Sequence, residues 1–360
     1  MKIAFLGDLA FIGKYDLETN KFAEKTLEPI AKILRNYDLV VGNLETPFTS
    51  KTTSKVPKSM HLRSPVINVR LLKYLNIGMV SLANNHIYDY GKYGLEETIR
   101  TLELNDIQYF GVNGKSLKVG KLVFRGYCCY SANASKYRVW PFNKGVNALS
   151  FKQIKTALQH DKAEGFKTML AIHWGDEHTN FPRKDHVKLV SRLTKYNSFV
   201  ISGHHPHVIQ PIQVIGDSIV SYSQGNFCFD DCYSITPNEL IVRQNDENKE
   251  GYILELDVVD GLNRSYGVRG VKEINKVLFP SRITEKLDSL AEKFEYSYKK
   301  KDYKSMRMSQ FKNKELLENK FGKRDFLWLR KRMNYYSILA YLMGKINIVR
   351  YWFYLARHLD

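Results

Sequence analysis

The feature that most constrains this chain is a recurrence: short apolar runs that each stop at a polar cluster. The run from residue 2 ends in Gly7-Asp8, and that from 38 ends in Gly42-Asn43-Leu44-Glu45. The run 77–82 leads into Ala83-Asn84-Asn85-His86, and 167–172 into His173-Trp174-Gly175-Asp176-Glu177. The run 198–202 leads into Gly203-His204-His205-Pro206-His207. Runs of this length read as strands, and the stretches 24–36, 92–105, 150–161 and 185–196 between them read as helices. Strands alternating with helices predict an α/β body. In such sheets the ligand crevice lies beyond the carboxyl ends of the strands, where these clusters fall.

Taken singly, each cluster reads as a turn or a helix cap. Five in one structural position, supplying carboxylate, amide and imidazole, describe a mixed nitrogen and oxygen pocket for zinc, manganese or iron. The three histidines at 204, 205 and 207 weigh most, since neutral imidazole is the commonest side-chain ligand for such ions. Cys128, Cys129, Cys228 and Cys232 form no CxxC pair, so they are expected as small buried residues in a reducing compartment. The glycine patterns of a P-loop or a dinucleotide fold are absent.

Over roughly residues 1 to 260 the motif set resembles the CapA family, capsule and poly-γ-glutamate biosynthesis proteins of the calcineurin-like metallophosphoesterase superfamily. The matching stretches are Gly7-Asp8, Asn43-Leu44-Glu45-Thr46-Pro47, Ala83-Asn84-Asn85-His86 with Asp89 and Gly91, His173-Trp174-Gly175 with Glu177, His205-Pro206-His207, and Tyr222 to Phe227. The resemblance implies a metallophosphoesterase-like β-sandwich flanked by helices, with its metal site at the strand ends. It implies Asn85, His173 and His205 as ligands of one ion, and Asp8 and His207 as ligands of another. His86 falls where the superfamily has its general acid. Ala10 stands where the pattern has a histidine, and Asn43 where it has a bridging aspartate. Glu45 is the nearest carboxylate to bridge instead. One or two divalent ions (Mn, Zn or Fe) are expected, with His86 and Glu177 as candidate catalytic residues. Asp89, His204 and Asn226 are expected to support the ligands.

The implied function is a metal-dependent, phosphoesterase-type hydrolase acting on an anionic or phosphorylated precursor of an extracellular polymer. The reading from a different class is a non-catalytic accessory protein of a membrane-bound polymer synthase, keeping the metal site for structure.

Charge divides the chain. Net charge is +18, and residues 281–360 hold 19 Lys/Arg against 9 Asp/Glu. The expected division is therefore a domain over 1–280 and a basic helical extension over 281–360. Basic, aromatic-rich residues 323–360 are expected either to pack on the body or to lie on an anionic membrane surface or membrane synthase. No nucleic-acid-binding signature supports a nucleic-acid partner. The apolar start of the chain is too short for a signal peptide or a membrane span, which points to a cytoplasmic protein, peripheral to the inner membrane face if the tail docks there.

Overall fold

The computed structural model describes residues 1–58, 60–134, 136–138, 144–233, 240–299, 302–305, 307, 326, 330 and 335–359. The first sheet is built on β1 (Lys2–Leu9), β2 (Leu39–Leu44), β3 (Ile77–Ser81) and β4 (Gln108–Phe110), all parallel. The second has β5 (Leu117–Val119), β6 (Leu122–Cys128), β9 (Lys167–His173), β10 (Phe199–His204), β11 (Ile212–Ile215) and β12 (Ser218–Ser221), in the order β11-β12-β10-β9-β6-β5. Two short pairs lie apart: β7 (Tyr137–Arg138) with β8 (Val146–Asn147), and β14 (Cys232–Tyr233) with β15 (Leu240–Val242). The first sheet is completed by β13 (Asn226–Cys228), β16 (Glu250–Val259), β17 (Leu262–Ile274) and β18 (Val277–Ser281), in the order β18-β17-β16-β1-β2-β3-β4 with β13 beside β1.

The two sheets pack face to face. On β1, Ile3 and Phe5 point into the space between the sheets while Ala4 and Leu6 join the outer layer. This is the period-two alternation of a strand buried on both faces. Phe5 and Phe110 of the first sheet meet Phe124 of the second, each with ring centroids 6.2 Å away. Helices α1 (Ala23–Leu34), α2 (Val69–Tyr74) and α3 (Gly91–Glu103) cover the outer face of the first sheet. In α1 the buried residues are Ala23, Leu27, Ile30, Ala31 and Leu34, one apolar stripe at helical spacing. Helices α4 (Phe151–Ala163), α5 (Lys184–Leu193) and α6 (Thr284–Lys299) contribute Leu158, Val190 and Leu290 to the core of the second sheet.

The expected sandwich flanked by helices is therefore present. After Pro65 the chain forms a 3-10 turn, Val66–Asn68, before α2. The strands β13 and β18 were not expected from sequence, because a three-residue strand and an edge strand carrying Pro280 show little periodicity. Helix α7 (Tyr335–Tyr354) ends the expected helical tail; most of 300–334 lies outside the described residues. No described helix is long and apolar enough to cross a membrane.

Two details aim the strand ends. The β1–β2 register slips by one residue between Phe5 and Asp8, a bulge that turns Asp8, rather than Gly7, toward the second sheet. Beyond it, β13 runs parallel to β1 and pairs Asp8 with Asn226. A Cβ on Gly7 would fall 2.2 Å from the Gly225 carbonyl oxygen, and one on Gly251 would fall 2.2 Å from that of Asn226. Only glycine lets three backbones fork this closely.

Candidate metal centre

Register fixes the first row of the site. Asn226, Asp8 and Asn43 are lateral neighbours on β13, β1 and β2, while His173 and His204 are neighbours on β9 and β10. All but Asn226, which opens β13, lie at or near carboxyl ends of parallel strands. Loops complete the set: Glu45 follows β2, Asn85 and His86 follow β3, and His205 and His207 follow β10. The backbone there is unusual. His205 and His207 have φ of 96° and 56°. Non-glycine residues occupy this region sparingly, and such backbone is found at functional sites as well as at turns.

The structure brings the expected ligands together. Glu45, His173 and His205 offer ligand atoms within 4.8 Å of one another, and so do Asp8, Glu45 and His207. Glu45 belongs to both groups. Its Oε1 stands 3.7 Å from His173 Nε2 and 3.7 Å from His207 Nε2. Asn85 Oδ1 lies 2.9 Å from His173 Nε2. Around an ion with bonds of about 2.1 Å, ligand atoms lie roughly 3 to 3.5 Å apart, close to these separations.

Hydrogen bonds orient the rings. Asn226 Nδ2 donates to the Asn248 carbonyl (3.0 Å), which leaves its Oδ1 to accept from His207 Nδ1 (2.9 Å). The lone pair of His207 Nε2 therefore faces Glu45. His204 contacts Ser202 Oγ through Nε2 (3.0 Å) and stands 3.1 Å from Asp8 through Nδ1. The His205 amide donates to Asp8 Oδ2 (3.2 Å), and Asn43 Nδ2 donates to Asp8 Oδ1 (2.8 Å). Asn226 and His204 thus stand against His207 and Asp8, where they can orient them.

The donor set fits a cation. Both oxygens of Glu45, Asn43 Oδ1 and His205 Nδ1 are buried with no hydrogen-bond partner. Unpaired buried carboxylate oxygens are costly, and a coordinated ion satisfies them. Burial, then the nearby Asp8 carboxylate, pushes the Glu45 carboxyl well above its ordinary range. Burial would raise Asp8 too, but His204 and His207 outweigh it and hold that carboxyl down. Burial lowers His173 well below its ordinary value and brings His205 to about 4, so both rings are neutral and offer lone pairs. These buried groupings can bind a metal.

His86 is held from behind. Its Nδ1 lies 2.6 Å from Asp89 Oδ2, and the Leu62 amide also donates to that oxygen (2.8 Å). Lys58 donates to Asp89 Oδ1 (2.5 Å) and to the Asn85 carbonyl (2.8 Å), and its Nζ is 3.2 Å from His86 Nδ1. Burial, then Lys58, lowers the His86 imidazole. Sequence reasoning missed Lys58, which looks like any other lysine in a Lys/Ser/Thr-rich loop. Glu177 sits at the rim with 45% of its side chain exposed, beside His178 (3.7 Å). Ala10, where the pattern has a ligand, is buried in an apolar cluster with Leu62 and Phe229. The four cysteines are buried and unpaired.

Comparison with known proteins completes the picture. Residues 2–231 match the family described as bacterial capsule synthesis protein PGA_cap. The matched span takes in every residue of the centre and leaves α6 and α7 outside. The capsule biosynthesis protein CapA of Bacillus anthracis is 27% identical over 71% of this chain and 66% of its own length. The PGA biosynthesis protein CapA of Bacillus subtilis is 27% identical over 68% of this chain and 67% of its own. The chain thus spans about two thirds of the length of these relatives. A hypothetical protein from Thermus thermophilus, known from a crystal structure, is 16% identical with a TM-score of 0.47, covering 76% of this chain and 100% of that one. By its sequence match the chain belongs to the bacterial capsule synthesis protein family PGA_cap.

Proposed function

We propose that this protein is a metal-dependent hydrolase of phosphoesterase type, acting in the synthesis of capsule or poly-γ-glutamate. The observation that carries the proposal is Glu45, a wholly buried carboxylate unpaired at both oxygens and shared by two ligand groups. Asp8, Glu45 and His207 would hold one divalent ion, and Glu45, Asn85, His173 and His205 the other, with Asn43 beside them. Manganese, zinc or iron suits these donors. When bound, such ions polarise a phosphoryl or carbonyl oxygen and make a bound water acidic. The chain's own part is proton handling. Asp89 accepts the Nδ1 proton of His86, so the exchangeable proton is at Nε2, from which the protonated ring gives it to the leaving group. Glu177, at the rim, would meet the incoming substrate.

The test is metal analysis of the purified protein beside His173→Ala and His205→Ala, with turnover of a generic phosphodiester in added manganese. The reading predicts bound metal lost in both variants, and turnover lost in His86→Asn with metal retained. Unchanged metal in both variants would overturn the assignment.

Two observations favour a second reading, a non-catalytic accessory protein. Ala10 supplies no ligand, and Asn43 spends its amide on Asp8. Such a protein would dock on a membrane surface or a membrane synthase through residues 323–360, where α7 exposes Ile348, Val349 and Trp352 beside Lys345 and Arg350. Metal retained without any His86-dependent turnover would select it, and liposome flotation with and without 323–360 would test the docking.

A further inference from the structure

Helix α7 is packed with its polar side inward. Asn347 is buried, the Tyr351 hydroxyl donates to Asp185 (2.8 Å), and Tyr354 stacks on Tyr130 at 5.6 Å. Leu355 and Leu359, just beyond, sit in the core. The helix is therefore fixed to the body at its carboxyl end. Its other side is apolar and faces outward. Ile338, Leu342, Ile348, Val349, Trp352 and Phe353 are each between 45% and 67% exposed. Positions 338, 342, 345, 349 and 352 recur at helical spacing as one stripe, with exposed Lys345 at its centre. An ordinary surface helix has the reverse arrangement, its apolar stripe against the core.

Charge and composition choose the partner of this face. Helix α7 carries Lys345 and Arg350 and no carboxylate, within a stretch, 281–360, that holds 19 Lys/Arg against 9 Asp/Glu. A second copy docked here about a twofold axis would bring two Lys345 ammoniums together and set one chain of net charge +18 on another. An anionic bilayer makes the opposite demand: acyl chains for the aliphatic stripe, headgroup level for Tyr341 and Trp352, and phosphate for the lysine. No described helix is apolar enough to cross a membrane, and α7 is held from its inner side, so the arrangement that fits is a helix lying along the surface.

We propose that α7 docks the protein on an anionic lipid bilayer, lying in the plane of the headgroups with its stripe at the acyl boundary. The inner side of the same helix borders Pro57 and Lys58 across a cavity of about 210 Å3. Docking thus turns toward the lipid the part of the body that carries Lys58, which contacts His86 and Asp89. The proposal rests on the docking surface of the second reading above, chooses lipid over a membrane protein, and holds with or without catalysis at the metal centre.

The full chain is sedimented with vesicles of phosphatidylcholine, and with vesicles in which one lipid in three is phosphatidylglycerol, beside Val349→Glu and Lys345→Glu. Wild type should partition at least about tenfold more strongly onto the anionic vesicles, and each variant should lose at least about tenfold there, from a carboxylate set against the headgroups. Both residues are exposed, so thermal midpoint and metal content should stay at the wild-type values. No binding by wild type, or binding by both variants equal to it, would overturn the proposal, as would a dimer in light scattering that Val349→Glu dissociates. Metal and His86-dependent turnover are measured on the same samples. Vesicle binding together with such turnover supports the docking and refutes the accessory reading alone; metal retained without vesicle binding refutes the docking alone.

Discussion

Glu45→Gln keeps the shape of the side chain and removes its capacity for charge, and the structure predicts different effects with and without metal. In chelator, wild-type Glu45 is a buried carboxyl with both oxygens unpaired, and burial holds it well above its ordinary range. The glutamine amide would leave buried polar atoms equally unpaired, so the metal-free variant should be about as stable as wild type. With metal the two should part. Wild type at a hundredfold excess over its dissociation constant gains about 2.7 kcal/mol. Losing even an outer-shell partner typically weakens metal binding about 10- to 100-fold. Glu45 is shared by both ligand groups, so its loss should fall at the upper end or beyond. At the same metal concentration the variant then gains almost nothing. One kcal/mol moves the midpoint of domains of 150 to 250 residues by about 2 to 4 °C, so a gap that opens only with metal is readable by differential scanning calorimetry in chelator and in a manganese series. A Glu45→Gln midpoint lowered equally in both conditions would refute the reasoning, as would unchanged metal content.

Asn43→Asp restores a carboxylate facing Asp8 Oδ1, now 2.8 Å from the amide; it should lower the midpoint in chelator and tighten metal binding, read by the same scans. Lys58→Met removes the cation beside His86 and Asp89. The His86 limb of the pH–rate profile should move to higher pH, and stability should fall by about 3 kcal/mol, the usual cost of breaking a buried pair. Lys14 pairs with Asp230 (2.8 Å) and Glu273 (2.7 Å) at low exposure, so Lys14→Met should cost about 3 kcal/mol at neutral pH. Burial raises the Asp230 carboxyl, but Lys14 outweighs it and lowers the net value. The Asp230 contribution is therefore present above its ordinary value of 3.8 and fades as pH falls below that, where chemical denaturation should show the variant gap narrowing.

The strands and the residue types gathered at their ends were legible because they are local. An apolar run that stops at Gly-Asp or Gly-His-His announces both a strand and the end at which its chemistry sits. The bulge in β1 was not legible, since it exists only relative to the register of β2. Asn226 was reached through its motif, but the amide orientation that points its oxygen at His207 depends on Asn248, 22 residues away. Lys58 was missed for the same reason: its meaning comes from Asp89, 31 residues later. The shared position of Glu45 lies between these cases. Its residue type was legible, and its place between two ligand groups required both sheets.

The fork of backbones at Gly7, Gly225 and Gly251 has a consequence for how such a centre can change over generations. It sets the main-chain places of Asp8, Asn226 and the neighbouring strand ends by close backbone contact, and side-chain hydrogen bonds then orient the groups they carry. A single side-chain substitution at Ala10 or Asn43 should therefore leave the remaining groups in place, whereas a Cβ at one of the three glycines would displace neighbouring strand ends together.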